Sequence, residues 1–164
     1  MIERKYLAHY IDAAFDTTYA GTDYVRIGKH LEEYSEELNP DVEVTKNILG
    51  EQSVVHNGYE VQAEVDPFYY ESYDDALSNK IMEIANARAT GDACKTSMVD
   101  VLLKPGTSGG APTVVWAYRE DVYLIPSEIG GDTSGIGMPF TVYKAGTRVK
   151  GTFDIATRKF TVGA

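Results

Sequence analysis

The sequence predicts an α+β fold that is mainly antiparallel β, with its strands in a β-sandwich or partial barrel and one flanking helix. Most of the 164-residue chain consists of short alternating or apolar runs separated by turns that contain glycine or proline. Only the segment at about 72–90 has the period of an amphipathic helix instead. Because no linker, repeat or low-complexity tract is visible, we expect a single domain over residues 1–164.

The first predicted strands lie on either side of an extended arm. The runs "DVEVT" (41–45) and "YEVQAEVD" (59–66) alternate, so each predicts a half-buried strand with an acidic outer face. The stretch between them, at about 46–58, is too long for a tight turn and predicts a hairpin or loop arm. Its apolar side chains have no obvious place on a monomer surface and are typical of a partner-binding segment: Ile48, Leu49, Val54 and Val55.

The helix is predicted from its apolar stripe and its end signals. Leu77, Ile81 and Ile84 recur on one face, and Ala85 and Arg88 continue the pattern. We expect Ser72 to cap the N-terminus and Gly91 to end the helix in a left-handed conformation.

After the helix the chain is again read as strands. The predicted runs are "KTSMVDVLLK", "APTVVWAYRE", "DVYLIP", "PFTVYK", "TRVKGTFDI" and "RKFTV". We expect "KAGT" and "ATRK" to be the hairpin turns that separate the last three, and Pro126 to end a strand. The glycine-rich "GGDTSGIG" (130–137) is expected to be a loop.

Charge is distributed unevenly along the chain, whose net charge is −10. From Glu32 to Asp75 there are thirteen acidic residues and one base, Lys46, whereas residues 133–164 carry five bases and one acid. No cluster of Lys and Arg is present, which argues against ordinary nucleic-acid binding. A solvated acidic face and a dedicated electrostatic surface both explain this pattern.

No residue pattern indicates an active site or a metal site. Ser108, in "KPGTSGGAP", follows His56 in the order of a trypsin-like triad, but too little chain separates them for two barrels, so Ser108 is expected in a turn. His9, His30 and His56 lack ligand spacing. Cys94, the single cysteine, is expected to be an inert thiol. We therefore expect no enzyme activity, metal or cofactor, and no apolar run reaches the length of a membrane span.

The chain does resemble one known family. The segments "RIGKHLEEYSEELNP", "VTKNILGE" and "NGYEVQAEVDPFYYE", followed by the helix, are similar to the tail tube (major tail) proteins of long-tailed phages and prophages of Gram-positive bacteria. The C-terminal "GTFDIATRKFTV" is similar to the last hairpin of that family. The resemblance spans most of the chain but includes no catalytic motif.

The resemblance implies a structural role in a phage tail. Subunits of this family form rings, usually hexameric, which stack into a tube through which DNA passes without specific binding, and an arm of each subunit reaches its neighbours. The implied partners are further copies of the chain and other tail proteins (tape measure, tail terminator and distal tail), with assembly in the bacterial cytoplasm and a final location in the virion tail. The acidic strand faces are expected to line the lumen: Asp41, Glu43, Glu60, Glu64 and Asp66.

Two other functions remain open at this point. A β-sandwich that carries Trp116 and twelve tyrosines is also typical of a module that binds carbohydrate or protein. A small hydrolase that uses Ser108 is the third possibility.

Overall fold

The computed structural model describes residues 1–16 and 23–163, and its fold is α+β and mainly antiparallel β. Short 3₁₀ helices cover Arg4–Tyr6, Gly91–Cys94 and Thr107–Gly109. In chain order, the longer elements are β1 Leu7–Asp12, β2 Tyr24–Arg26, β3 Pro40–Lys46, β4 Gln52–Tyr59, β5 Gln62–Val65, α1 Ala76–Ala87, β6 Lys95–Lys104, β7 Thr113–Pro126, β8 Gly130–Asp132, β9 Gly135–Gly137, β10 Phe140–Lys144, β11 Val149–Asp154 and β12 Lys159–Val162. Across the described ranges, no helix is long and apolar enough to cross a membrane.

One eight-stranded antiparallel sheet organises the chain. Its main order is β12-β11-β7-β6-β1-β2, and β10 pairs with both β7 and β5. The 14-residue β7 is long enough to accept two strands on one edge: β11 pairs with its residues 117–119 and β10 with its residues 122–126. Two small sheets, β3–β4 and β8–β9, stand apart. The described sheet does not close into a barrel, so β12, β2 and β5 are its outer strands.

Two apolar cores lie on opposite faces of the sheet. On one face, Leu77 and Ile81 of α1 pack in a cluster with Met98 of β6. On the other, Phe153 and Phe160 of the C-terminal hairpin pack with Val99 of the same strand. Because β6 is buried on both faces, the fold is sandwich-like.

The structure confirms the helix but shortens it at both ends. The helix begins after Asp75, and Ser72 only accepts a turn hydrogen bond from the Asp75 N–H. At the C-terminus, Arg88 (φ 49°) is the left-handed residue that ends the helix; Gly91 is left-handed as expected (φ 65°) but begins the following 3₁₀ helix. Leu77, Ile81 and Ile84 are buried, as the stripe predicts.

The predicted strand at 41–45 is present but is not half-buried. It belongs to β3, in which every residue is exposed, and it pairs only with β4. Tyr59 ends β4 instead of starting the next strand, which begins at Gln62. The arm is therefore the whole hairpin Pro40–Tyr59 and is longer than the predicted range of 46–58.

Three other differences concern the connections between strands, and a fourth concerns two strands that were not predicted. The runs "APTVVWAYRE" and "DVYLIP" form a single strand, β7, which ends at Pro126 as expected. The "KAGT" segment is not a hairpin turn, because β10 and β11 pair with β7 and not with each other. The "GGDTSGIG" segment forms the small β8–β9 hairpin. Strands β1 and β2 had no counterpart among the predicted elements.

The first testable prediction concerns the core under α1. The Ile81 side chain is 0% exposed, so Ile81→Ala leaves a cavity and should lower the free energy of unfolding by about 2–5 kcal/mol. Ile48→Ala is the matched control, because Ile48 is 103% exposed and its loss should change the monomer by less than about 0.5 kcal/mol. Chemical denaturation of both variants measures the difference, and equal effects would contradict the assignment of α1 to the core.

Candidate functional site

The hairpin arm is the most unusual surface of the molecule. All of its residues except Gly58 are exposed, including several large apolar side chains. Ile48 and Leu49 at the tip are 103% and 77% exposed, and Val54 is 61% exposed. The prediction that these side chains have no site on the monomer is confirmed within the described residues; the proposed contact with another subunit stays a prediction.

The tip of the arm is ordered by its own hydrogen bonds. At the tip, the Asn47 side-chain oxygen accepts hydrogen bonds from the backbone N–H groups of Leu49 and Glu51, both at 3.0 Å. Gly50, with φ 79°, supplies the left-handed residue that this turn requires. An ordered arm loses less conformational entropy when it binds a partner.

The two faces of the arm differ in chemistry. Directly opposed residues of an antiparallel pair share a face. Val42 and Val44 therefore lie beside His56 and Val54, which makes the apolar face of the arm. Glu43 lies beside Val55, and Asp41 is on the same side, which makes the acidic face of the arm.

The base of the arm is closed by the chain itself. The Glu60 N–H donates to the Asn39 carbonyl at 3.3 Å, and the Asn39 side-chain N–H donates to the Glu60 carbonyl at 3.0 Å. An isolated bridge between Glu37 and Gln62 continues this pairing towards β5. The hairpin is thus a discrete insertion whose two ends meet.

The acidic residues predicted to line a lumen lie on two different elements. Asp41 and Glu43 are on the arm, whereas Glu60, Glu64 and Asp66 lie on or beside β5. All five are exposed, and none forms an ion pair with any described residue. On β5 the predicted alternation is correct, because Ala63 and Val65 are buried while Glu64 is exposed.

A buried charge network, which sequence reasoning missed, lies where β1, β6 and β10 meet. The Asp100 carboxylate is 3% exposed, and it accepts hydrogen bonds from His9 Nδ1 at 2.6 Å, Lys144 Nζ at 2.8 Å and Arg148 at 3.0 Å. Glu36 joins the network at 3.3 Å from both His9 and Lys144. These residues are far apart in sequence, so no spacing pattern could have indicated them.

The network shifts the pKa values of its members. Burial opposes ionisation of Asp100, but the His9 hydrogen bond and the Lys144 charge outweigh it and hold the pKa of this carboxyl well below its usual range. Burial also opposes protonation of His9, yet its hydrogen bond to Asp100 and the nearby carboxylate of Glu36 raise the pKa of the imidazole. Burial raises the pKa of Tyr34, whose ring lies 4.5 Å from that of His9.

The same histidine also contacts Arg4. The Arg4 guanidinium lies 3.1 Å from His9 Nε2, and a guanidinium can only donate, so this bond requires a neutral imidazole with its proton on Nδ1. Protonation of Nε2 replaces that bond with a repulsion between two cations, which opposes the rise in the His9 pKa caused by Asp100 and Glu36 but does not cancel it. The charge state of His9 is therefore coupled to the N-terminal 3₁₀ helix.

The network has ligand-type side chains but is already neutralised by cations. Ligand atoms of His9, Glu36 and Asp100 lie within 4.8 Å of one another, as in a metal site. However, the Lys144 side chain, 1% exposed, already contacts both carboxylates, and Arg148 contacts Asp100. A divalent cation would have to displace a buried ammonium group, so the geometry favours an internal ion network.

The other candidate residues are in settings that do not suggest catalysis. Ser108 is exposed in a 3₁₀ turn, and all three histidines have other partners: Asp100 for His9, Glu71 for His30 and the ring of Tyr59 for His56. Cys94 is buried, and burial raises the pKa of its thiol, which disfavours the reactive thiolate.

Trp116 is half-buried and lines a cleft of about 320 Å³ beside the charge network. Its ring lies 5.4 Å from that of Tyr118. In the same cleft, Lys144 already engages one oxygen of Asp100 and one of Glu36, and His9 engages the second oxygen of Asp100, so that Glu36 Oε1 is the one carboxylate oxygen of this pair without a hydrogen-bond partner among the described residues.

A scan against protein-family models gives no match for this chain, and a search of the curated proteins also gives none.

The second prediction concerns pH. Because the folded-state pKa of His9 is raised above 6.5, its protonation stabilises the fold below about pH 6.5, and this contribution is lost as the pH rises through the folded-state value. The free energy of unfolding of the wild type should therefore fall as the pH rises above about 6.5 and through the folded-state pKa of His9. His9→Gln should have a flatter profile over this range.

Proposed function

We propose that this protein is a structural subunit of a phage or prophage tail tube, which assembles into stacked rings around a lumen for DNA. The observation that carries the proposal is the hairpin arm: an insertion, closed at its base, that exposes an apolar face and has no contact surface on its own chain within the described residues. Binding of a partner would remove the apolar side chains of this segment from water and so stabilise it. The resemblance of the sequence to tail tube proteins implies that this partner is a further copy of the chain.

The sheet supports the same proposal. Strands β12 and β2 each pair on one side only in the described part of the chain, so their outer backbone groups are available to strands of a neighbouring subunit. Pairing of this kind between copies would join the separate sheets around a ring, and a ring leaves no open edge.

The acidic residues beside β5 are our candidates for the lumen wall. Glu60, Glu64 and Asp66 are exposed and without ion-pair partners among the described residues, and Glu64 shares the outer face of the sheet with Thr141 and Ile125. A negatively charged wall repels phosphates and lets DNA pass without adhesion. Asp41 and Glu43 lie on the arm, on a different element from β5, and are not included in this proposed wall.

The third prediction tests assembly. Replacing Pro40–Tyr59 with a short glycine-containing turn should change the free energy of unfolding by less than about 1 kcal/mol, because Asn39 and Glu60 already meet and the removed residues are exposed. The variant should form no rings or tubes in negative-stain electron microscopy of concentrated protein, whereas wild type and the turn variant Ser108→Ala should form them.

Two results would contradict the proposal. If concentrated wild type stays monomeric under all conditions, and instead binds glycans in a way that depends on Trp116, the binding-module alternative replaces it. If Ser108→Ala removes a hydrolytic activity, the hydrolase alternative replaces it.

The fourth prediction tests the lumen wall. The triple variant Glu60→Lys, Glu64→Lys, Asp66→Lys changes the charge of each chain by six units, since each of the three sites changes by two. Tubes should still form and should now retain DNA, with an affinity that falls steeply as salt rises. The matched control reverses three exposed acids elsewhere, Asp74, Glu83 and Glu128, and should retain little DNA. Equal retention by both variants would exclude these residues from the wall, and failure to assemble would make them subunit contacts.

A further inference from the structure

A basic cleft of about 530 Å³ lies on the N-terminal side of the molecule, and no arm residue lines it. Its walls are the 3₁₀ helix Arg4–Tyr6, the start of β1 and the segment at 26–34. Clefts of about 300–1,000 Å³ are typical of binding sites. One acid, Glu32, lines this cleft. Four bases line it: Arg4, Lys5, Arg26 and Lys29. In a chain of net charge −10, this concentration of cations needs an explanation.

Two of these cations have no carboxylate partner among the described residues. Arg4 donates to the carbonyl oxygens of Leu7 at 2.6 Å and Tyr34 at 3.0 Å, and Arg26 donates to the Lys5 carbonyl at 2.6 Å. Both lysines of the cleft, in contrast, are ion-paired. The carbonyl bonds hold each guanidinium in place without neutralising it. Arg26 keeps further N–H groups that can bind a carboxylate in bidentate geometry, whereas Arg4, whose Nη2 also contacts His9, can offer a carboxylate only single hydrogen bonds.

The acidic face of the arm has the complementary features. Asp41 and Glu43 are exposed and unpaired within the described residues, and Val55 lies directly beside Glu43. The cleft presents half-buried apolar side chains, Leu7 and Ile27 among them, next to its guanidinium groups. Both surfaces thus combine charge with an apolar contact, and the charges are of opposite sign.

We propose that this cleft receives the acidic face of the arm from a second copy of the chain, with Arg26 and Arg4 pairing with Glu43 and Asp41. This inference rests on the proposed function, because it names the surface on which the arm docks. The apolar lining of the cleft favours a protein side chain such as Val55 over a free phosphate, which would use only the guanidinium groups. Burial of such pairs strengthens them and gives the contact its register.

The fifth prediction is a charge-reversal experiment. Arg26→Glu and Glu43→Arg should each weaken self-association by roughly tenfold or more, because each places like charges at the contact. The double variant should recover association. An equal mixture of the two single variants should recover it too, because the reversed arm of one variant then meets the reversed cleft of the other. Lys104→Glu, an exposed site outside the cleft, makes the same charge change as Arg26→Glu and should associate like wild type. Analytical ultracentrifugation and electron microscopy measure association, and chemical denaturation checks that each variant folds.

The outcomes separate this inference from the proposed function. If wild type assembles, the arm replacement abolishes assembly and both single reversals assemble normally, the docking site is wrong while the tail-tube proposal stands. If Arg26→Glu removes binding of inorganic phosphate but leaves association unchanged, the cleft is a small-anion site and the docking proposal is overturned. If the reversals weaken association and the double variant does not recover it, the two residues are not partners. If wild type does not self-associate, both proposals fall.

Discussion

The pairing of β6 with β7 is the constraint on which the remaining structure depends. These two strands pair from Lys95 to Lys104, and residues of β6 alternate between the two apolar cores. Every other strand of the main sheet attaches, directly or through one neighbour, to this pair. Because β7 is longer than either partner on its far edge, it holds both β10 and β11. The far edge of β7 is therefore shared by two strands, with a break in strand pairing between residues 119 and 122, where β10 ends and β11 begins.

The buried charge network stabilises the break. Lys144 is the last residue of β10, Arg148 directly precedes β11, and both donate to the same Asp100 oxygen. The loop between them contacts β7, because the Ala145 N–H donates to the Asp121 carbonyl at 2.9 Å. Removing one partner of such a network leaves a buried charge without compensation, which costs far more than the intact network contributes. The same carboxylate binds His9 of β1, so it also joins the N-terminal strand to the break.

Local sequence patterns correctly predicted the elements that bury one face. They failed for elements that are exposed on both faces or buried on both faces, because burial there is set by the rest of the fold. The stripe through Leu77 and Ile81 has one buried face, and α1 follows from it. Alternation at 41–45 shows that a strand has two different faces, but it does not show that a core lies under one of them, so the extent of the arm was wrong. β1 was not predicted, because it is buried on both faces and its sequence hardly alternates between apolar and polar residues. His9 and Asp100 are 91 positions apart, and only the register of β1 with β6 brings them together.

Net charge and local charge act in opposite directions on association. Copies of a chain with net charge −10 repel one another at long range, and salt screens this repulsion over about 8–10 Å. An exposed apolar arm on a neutral protein would promote indiscriminate association, whereas on this chain the general repulsion disfavours every contact that lacks a compensating cation. The guanidinium groups of Arg4 and Arg26, without carboxylate partners among the described residues, are such cations, and they lie together in one cleft. In the docking that we propose, the net negative charge of the chain disfavours most contacts of the arm, and the two guanidinium groups of this cleft favour one of them.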